Sequence, residues 1–135
     1  MKVVVDTNII LDQLLDREDA DSAEQIMGMS EKGEIEGTFN ASSATDIYFL
    51  LKKPLGHNRA KKLLNTLLSV LDVIDIRRTD LQRAMELDFS DYEDALVATC
   101  AKKVKADDIV MRNGKHFKGS AVPAVSPADF LKLYS

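Results

Sequence analysis

Cysteine is almost absent from this chain. Its single cysteine, Cys100, excludes an internal disulfide and suits a reducing cytoplasm. Cys100 lies among Ala98, Thr99 and Ala101, so we expect a small buried core residue there and not a nucleophile. No spacing of cysteine and histidine is typical of a zinc site.

Long apolar runs are also missing. No stretch approaches the roughly 18 consecutive apolar residues of a membrane-spanning helix. The N-terminus has one lysine, a short apolar run and then Asp6, which is not the pattern of a signal peptide. We therefore expect a cytoplasmic protein with no membrane partner. Its 135 residues, 45% hydrophobic and 30% charged, predict a single domain over residues 1–135.

The chain lacks an excess of positive charge. Its 18 basic and 22 acidic residues give a net charge of −4. This argues against a protein that binds nucleic acid tightly through bulk positive charge. It does not exclude an enzyme that holds nucleic acid locally, because a bound divalent cation would offset clustered carboxylates.

Strand and helix patterns alternate along the sequence. Strands are predicted at residues 2–5, 37–40, 73–76, 108–111 and 122–125, and helices at 9–16, 22–32, 43–53, 58–70, 79–87 and 90–104, with a last helix opened by Ser126-Pro127. Pro54 is expected to stop the third helix, and capping boxes are expected to begin at Thr79 and Ser90. This alternation predicts an α/β fold with a mainly parallel sheet covered on both faces.

Asp6 is the most informative single residue. It follows Val3-Val4-Val5, a β-branched run typical of a strand buried on both faces. Thr7 or Asn8 can then cap the next helix. This places a carboxylate at the carboxyl end of the first strand, the edge of an open α/β sheet where ligands bind.

Other acids recur where elements begin or end, and each also has a structural explanation. Asp46 suits a capping box begun by Ser43, and Asp91 suits the first turn of a helix. Asp107 and Asp108 are typical turn acids before a strand.

Asp94 weakens these separate explanations. It lies on the same helix face as Asp91 and borders the apolar run that starts at Ala95, where an unpaired carboxylate is costly. A shared Mg²⁺ or Mn²⁺ would remove that cost, because both are hard cations that take several oxygen ligands. Beyond the fourth strand, Arg112, Lys115 and His116 lie near the same proposed site.

Five segments in order carry a family resemblance. They are VVDTNIILD at residues 4–12, ASSATDIY at 41–48, DYEDAL at 91–96, IVMRNGKHF at 109–117 and VSPADFL at 125–131. Over nearly its whole length, the chain resembles the PIN-domain family of metal-dependent ribonucleases. The resemblance implies a three-layer α/β/α sandwich with a central, mainly parallel sheet of about five strands.

The resemblance also implies a site and partners. Three or four acids would gather around Mg²⁺ or Mn²⁺, with these roles falling on Asp6, Asp46 and Asp94 and with Asp91 as a further candidate. The metal would activate water for hydrolysis of RNA phosphodiester bonds. Many members of the family are toxins held inactive by a small antitoxin, and many form homodimers.

The remaining roles that the resemblance implies concern substrate. Asn113 would orient a ligand or the water, Thr7 or Asn8 would donate to a phosphate, and Arg112 and Lys115 would contact the RNA backbone.

Three departures from the family pattern imply weaker metal binding. Asp46 stands where the family usually has glutamate, and its shorter side chain implies a contact with metal through water. Asn113 stands where many members have aspartate, and Met111 replaces a common threonine or serine.

Two other classes of function stay open. One is a catalytically degenerate PIN-like module that binds protein or RNA. The other is a phosphate-binding or response-regulator-like domain, which needs a phospho-acceptor aspartate on a middle strand and a lysine after a late one. Asp75 lies on the third predicted strand, but it is followed by Ile76-Arg77-Arg78.

Overall fold

The computed structural model describes residues 1–134. The strands in this part of the chain are β1 (Lys2–Val5), β2 (Glu36–Asn40), β3 (Asp72–Ile74), β4 (Asp108–Val110) and β5 (Ala124–Val125). The helices are α1 (Thr7–Leu14), α2 (Ala20–Glu31), α3 (Ala41–Leu55), α4 (His57–Val70), α5 (Arg78–Glu86), α6 (Tyr92–Lys103) and α7 (Pro127–Tyr134), and a 3₁₀ turn spans Gly114–Phe117.

The five strands form one parallel sheet in the order β3-β2-β1-β4-β5. The first strand is therefore central, with Val4 opposite Thr38 of β2 on one side and Ile109 of β4 on the other. Because all strands are parallel, their carboxyl ends meet at one edge of the sheet. Asp6, directly after β1, lies in the middle of that edge.

Both faces of the sheet are covered by helices. Val3 and Val5 pack into a core with side chains of α1, α2, α3, α4 and α7, whereas Val4 packs on the opposite face with side chains of α5 and α6. The alternation of side chains along a strand sends neighbouring valines to opposite faces. The architecture is the three-layer α/β/α sandwich that the sequence predicts.

Several predicted boundaries need correction. The third and fourth strands end at Ile74 and Val110, and the fifth pairs only over Ala124–Val125. Pro54 lies inside α3 and does not stop it. A proline removes one backbone bond, which a helix tolerates in its last turn, and the helix ends instead at Gly56, whose φ of 84° is left-handed.

Three helix caps also differ from the prediction. Asp6, and not Thr7 or Asn8, caps α1 by accepting a hydrogen bond from the Asn8 backbone N–H. Asp91, and not Ser90, caps α6.

The expected capping box at Thr79 is also wrong. The backbone N–H of Arg77 instead donates to the Asp80 carboxylate at 2.9 Å, so α5 begins one residue earlier, at Arg78. In each of these caps the side chain that accepts is an aspartate, whose oxygens satisfy backbone donors at a helix start.

Cys100 is fully buried in α6, and burial raises the pKa of its thiol to about 11. A thiol in that state is not a nucleophile at neutral pH, which confirms the core assignment. Within residues 1–134, no helix has the length and apolar character that crossing a membrane requires.

Candidate active site

A cleft of about 650 Å³ opens at the carboxyl edge of the central strands. Its walls come from the ends of β1, β2 and β4, from the starts of α1 and α6, and from the first three turns of α3. Of the residues that the sequence singled out, the cleft lining includes Asp6, Thr7, Asn8, Asp46, Asp91, Asp94, Arg112, Asn113 and His116. The fold thus brings together segments that are about a hundred residues apart in sequence.

Asp6 is held at the centre of the cleft by the backbone. Its N–H donates to the Val110 carbonyl of β4 at 3.0 Å, and its carboxylate accepts from the Asn8 N–H at 3.3 Å. Burial raises the pKa of the Asp6 carboxyl, and the nearby Asp94 carboxylate raises it further. The proximity of a second acid therefore makes the charged form of Asp6 less favourable.

Asp94 and Asp91 meet at the start of α6. The Asp91 carboxylate caps the helix by accepting from the Asp94 backbone N–H at 3.0 Å. Burial and then the charge of Asp91 raise the pKa of the Asp94 carboxyl, whereas His116, whose Nδ1 lies 3.7 Å from Asp94, opposes that rise. Asp91 therefore has a structural role in addition to facing the cleft.

Asp46 faces the cleft from the body of α3. The helix begins at Ala41 with Asn40 at its N-cap position, so Asp46 lies in the second turn and caps nothing. The capping-box explanation of Asp46 is therefore wrong.

Glu93 is a cleft residue that the sequence did not identify, because its position suited a capping box. Burial raises the pKa of the Glu93 carboxyl, followed in size by the charges of Asp46 and Asp91. These effects place Glu93 within electrostatic reach of α3 as well as of its own helix. Its position one residue before Asp94, in a run of acids, was the available signal.

Asn113 sits at the other side of the cleft, after β4. Its side-chain oxygen accepts from the Lys115 backbone N–H at 3.3 Å, which caps the 3₁₀ turn, and its amide lies 3.5 Å from a ring nitrogen of His116. Lys115 itself is exposed and is not among the residues that line this cleft. Its side chain is therefore outside the group of acids.

Arg112 lines the cleft but is already engaged. Its guanidinium donates through Nε to Asp12 at 3.1 Å and makes a second bond to the same carboxylate through a terminal nitrogen. Asp12 is fully buried, and Arg17 donates to it at 3.0 Å. Sequence reasoning missed this cluster, because Arg112 is 100 residues from Asp12 and Asp12 directly follows the buried apolar residues Ile9–Leu11 of α1.

Asp107 and Asp108 lie outside the cleft. The Asp107 carboxylate accepts from the Lys2 backbone N–H at 2.9 Å, and Asp108 is buried in β4 at the amino end of the strand. Burial raises the pKa of the Asp108 carboxyl. Both acids belong to the opposite edge of the sheet.

The donor chemistry of the cleft fits a hard divalent cation, because five carboxylates line it. Carboxylates that raise one another's pKa have negative charge in excess, which a cation would balance. Within residues 1–134, however, no three Asp, Glu, His or Cys side chains are close enough together to hold one metal ion. A cation here would rely on fewer carboxylates or on side-chain rotations that draw the acids inward.

Solved structures of low sequence identity share this fold. A toxin–antitoxin complex from Klebsiella pneumoniae contains a chain that is 22% identical, with a TM-score of 0.70 over 93% of this chain and 97% of that one. VapBC2 from Rickettsia felis, bound to a DNA fragment from its promoter, matches at 19% identity and a TM-score of 0.72, over 93% and 98% of the two chains.

The VapC20 toxin of Mycobacterium tuberculosis, described as cleaving the sarcin–ricin loop, matches at 14% identity and a TM-score of 0.67 over 87% and 94%. No curated protein sequence matches the chain significantly. The family model described as PIN domain matches residues 2–115, which is most of the sequence. The chain belongs to the PIN-domain family.

Proposed function

We propose that this protein is a metal-dependent ribonuclease that hydrolyses RNA phosphodiester bonds. The observation that carries the proposal is that Asp6, Asp46, Glu93 and Asp94 line one cleft at the carboxyl edge of the sheet. Burial and the charges of neighbouring acids raise the pKa of the carboxyl groups of Asp6, Glu93 and Asp94 there. Ion pairs do not explain this group, because among the described residues Asp94 alone of these four acids has an ion-pair partner, His116 at 3.7 Å. Perturbed carboxyl groups in a cleft favour a catalytic or cation-binding role.

The side chains have separate tasks in this proposal. Mg²⁺ or Mn²⁺, when bound, would supply an activated water and offset charge on the phosphate. Asp6, fixed by its bonds to Val110 and Asn8, and Asp94 would hold the ion, with Asp91 beside them. Asp46 would reach it from α3, directly or through water, and Asn113 would orient the water.

Substrate contacts follow from the ends of two elements. Thr7 and Asn8, in the first turn of α1, line the cleft and would donate to a phosphate, since helix N-termini attract phosphate. Arg112 would present its guanidinium edge while Asp12 holds it in place, and Lys115 would meet RNA outside the cleft. With so few cations, affinity for RNA should fall only gently as salt rises.

We also propose that the protein is a toxin, inhibited by a small antitoxin and dimeric in the cytoplasm. Support comes from the relatives that were solved as toxin–antitoxin complexes. Phe49 and Leu50, which are 59% and 52% exposed, project from α3 at the cleft. Large apolar side chains exposed beside polar groups favour a protein contact.

Cleavage of a mixed-sequence single-stranded RNA tests the enzymatic proposal. We expect slow cleavage by the wild type with Mn²⁺, none with EDTA and none by Asp6→Ala. Asp72→Asn, which removes an exposed acid at the amino end of β3, is the matched control and should cleave normally. Cleavage that persists in EDTA or in Asp6→Ala would exclude this mechanism.

One observation favours a second candidate, the catalytically degenerate PIN-like binding module. The cleft acids of residues 1–134 are not gathered around a single point, and Asn113 supplies no charge. Metal binding without cleavage of RNA under any condition would select this candidate. Binding of a small protein encoded beside the gene would then be its activity.

A further inference from the structure

Asn40 is a polar residue of the cleft to which no role has been given. It is the last residue of β2, it is 3% exposed, and it lines the same cleft as Asp6. It also occupies the N-cap position of α3, yet its side chain makes no capping hydrogen bond. An asparagine at an N-cap position usually accepts a hydrogen bond from the first turn of the helix, and Asn40 does not.

The side-chain oxygen of Asn40 has no hydrogen-bond partner among the described residues, although it is buried. A buried acceptor left unpaired destabilises the fold, because it has lost its hydrogen bonds to water without replacing them. A buried unpaired oxygen in a folded protein therefore needs an explanation. One explanation is that the oxygen accepts a hydrogen bond only when a ligand is bound.

The sheet register places Asn40 beside Asp6. In the register of β1 and β2, Val4 is opposite Thr38. Two residues further along both parallel segments, Asp6 is therefore opposite Asn40. Side chains two residues apart share a face of a strand, which puts Asp6 on the face of Val4. Ile74, opposite Asn40 on β3, packs in the same core as Val4.

This shared face is the one covered by α6, the helix that carries Asp94. Neighbouring parallel strands lie about 4.8 Å apart. The carboxamide of Asn40 therefore lies on the same face of the sheet as Asp6 and Asp94, one strand away from Asp6.

We propose that the carboxamide of Asn40 is a neutral ligand-binding group of the site, which hydrogen-bonds a water molecule of the hydrated divalent cation attracted by the neighbouring acids. The inference rests on the proposed metal-dependent function and adds a residue to it. A neutral oxygen at this place binds such a water without adding to the repulsion between Asp6 and Asp94. Mg²⁺ in particular keeps several waters when it binds to proteins.

Asn40→Leu separates this role from a structural one. Leucine has a similar size and no polar atoms, so it removes the unpaired oxygen. We expect the melting temperature in EDTA to stay the same or rise, while calorimetry shows Mn²⁺ affinity lowered about tenfold, as is typical when a group behind the metal ligands is lost. The matched control is Asn58→Leu, at an exposed asparagine outside the cleft, which should bind Mn²⁺ as the wild type does.

Asn40→Asp keeps the inference testable if the leucine variant does not fold. A carboxylate beside Asp6 should lower the melting temperature in EDTA and increase the rise that Mn²⁺ produces. Equal Mn²⁺ affinity in the wild type and both variants would overturn the role of Asn40 and leave the proposed function intact. Failure of the wild type itself to bind Mn²⁺ would overturn the proposed function and this inference with it.

Discussion

Arg112 and Asp12 join the loop after the fourth strand to the first helix. They are 100 residues apart in sequence, and the guanidinium makes two hydrogen bonds to one fully buried carboxylate. These bonds raise the pKa of Arg112, which stays charged. Because Arg112 directly precedes Asn113, the pair also fixes one wall of the cleft.

Removal of Arg112 should therefore destabilise the fold. Arg112→Met leaves Asp12 with Arg17 alone, and losing one partner of a buried charge costs on the order of 3 kcal/mol. Urea unfolding measures the change in the free energy of unfolding. Lys115→Met, at an exposed lysine on the same turn, is the control and should change it little. Equal stability of the two variants would mean that the Arg112–Asp12 pair does not stabilise the fold and that the role of Arg112 is limited to RNA binding.

Asp6→Asn should raise the melting temperature in EDTA by a few degrees. The folded-state pKa of Asp6 is raised, so the folded protein binds its proton more tightly than the unfolded chain does. Stability is thus greatest below the unfolded pKa and is lost as pH rises through the folded one. Asparagine removes this loss and is an equally good helix cap.

The pH dependence checks the cause. Melting curves from pH 3 to pH 7 should converge for Asp6→Asn and the wild type at the acid end and separate above it. Asp72→Asn, at an exposed acid, should not show this separation. A lower melting temperature for Asp6→Asn at neutral pH would mark Asp6 as a structural residue only.

Asn113→Asp should strengthen Mn²⁺ binding about tenfold, or about 1.4 kcal/mol, since it adds a charge at the cleft. Aspartate has the same size and shape as asparagine and keeps the oxygen that caps the 3₁₀ turn, so the loop should hold its shape. Calorimetry gives the affinity, with Asn58→Asp adding the same charge outside the cleft. Unchanged affinity would place residue 113 out of reach of the ion.

Asp80 should control stability in acid. It is almost fully buried, and the Lys103 ammonium, 2.8 Å away, lowers the pKa of its carboxyl. A lowered folded pKa gives stability that is present above the unfolded pKa and is lost as pH falls through the folded one. Asp80→Asn should therefore be less stable than the wild type at pH 7, and its free energy of unfolding should fall less steeply between pH 7 and pH 2. An equally steep fall in the wild type and the variant would contradict this.

Regular patterns made the fold predictable. The valine run and the alternation of elements gave the parallel sheet, and Asp6 was expected at its edge because β-branched runs and strand ends are local features. Pro54 shows the limit of local rules, since its cost depends on how much of the helix follows it.

The site was predictable only in part. Asp6, Asp46, Asp91 and Asp94 line one cleft, as the sequence predicts, although Asp46 lies in the body of α3 and not at its start. The pair of Asp12 and Arg112 and the unpaired oxygen of Asn40 arise from tertiary packing between distant segments, for which one sequence contains no spacing rule. From the sequence, Asn40 was predicted only as the last residue of a strand.

The central position of the first strand has a consequence for synthesis on the ribosome. Val3 pairs with Asp108, and the Asp6 N–H donates to Val110. The N-terminal strand β1 therefore cannot pair with β4 until most of the chain has been translated. Parallel pairings over such separations form late, because the intervening chain must be ordered first. A nascent chain that stops before β4 has Asp6 and the acids of α6 but no completed cleft, so premature termination yields a product without the site.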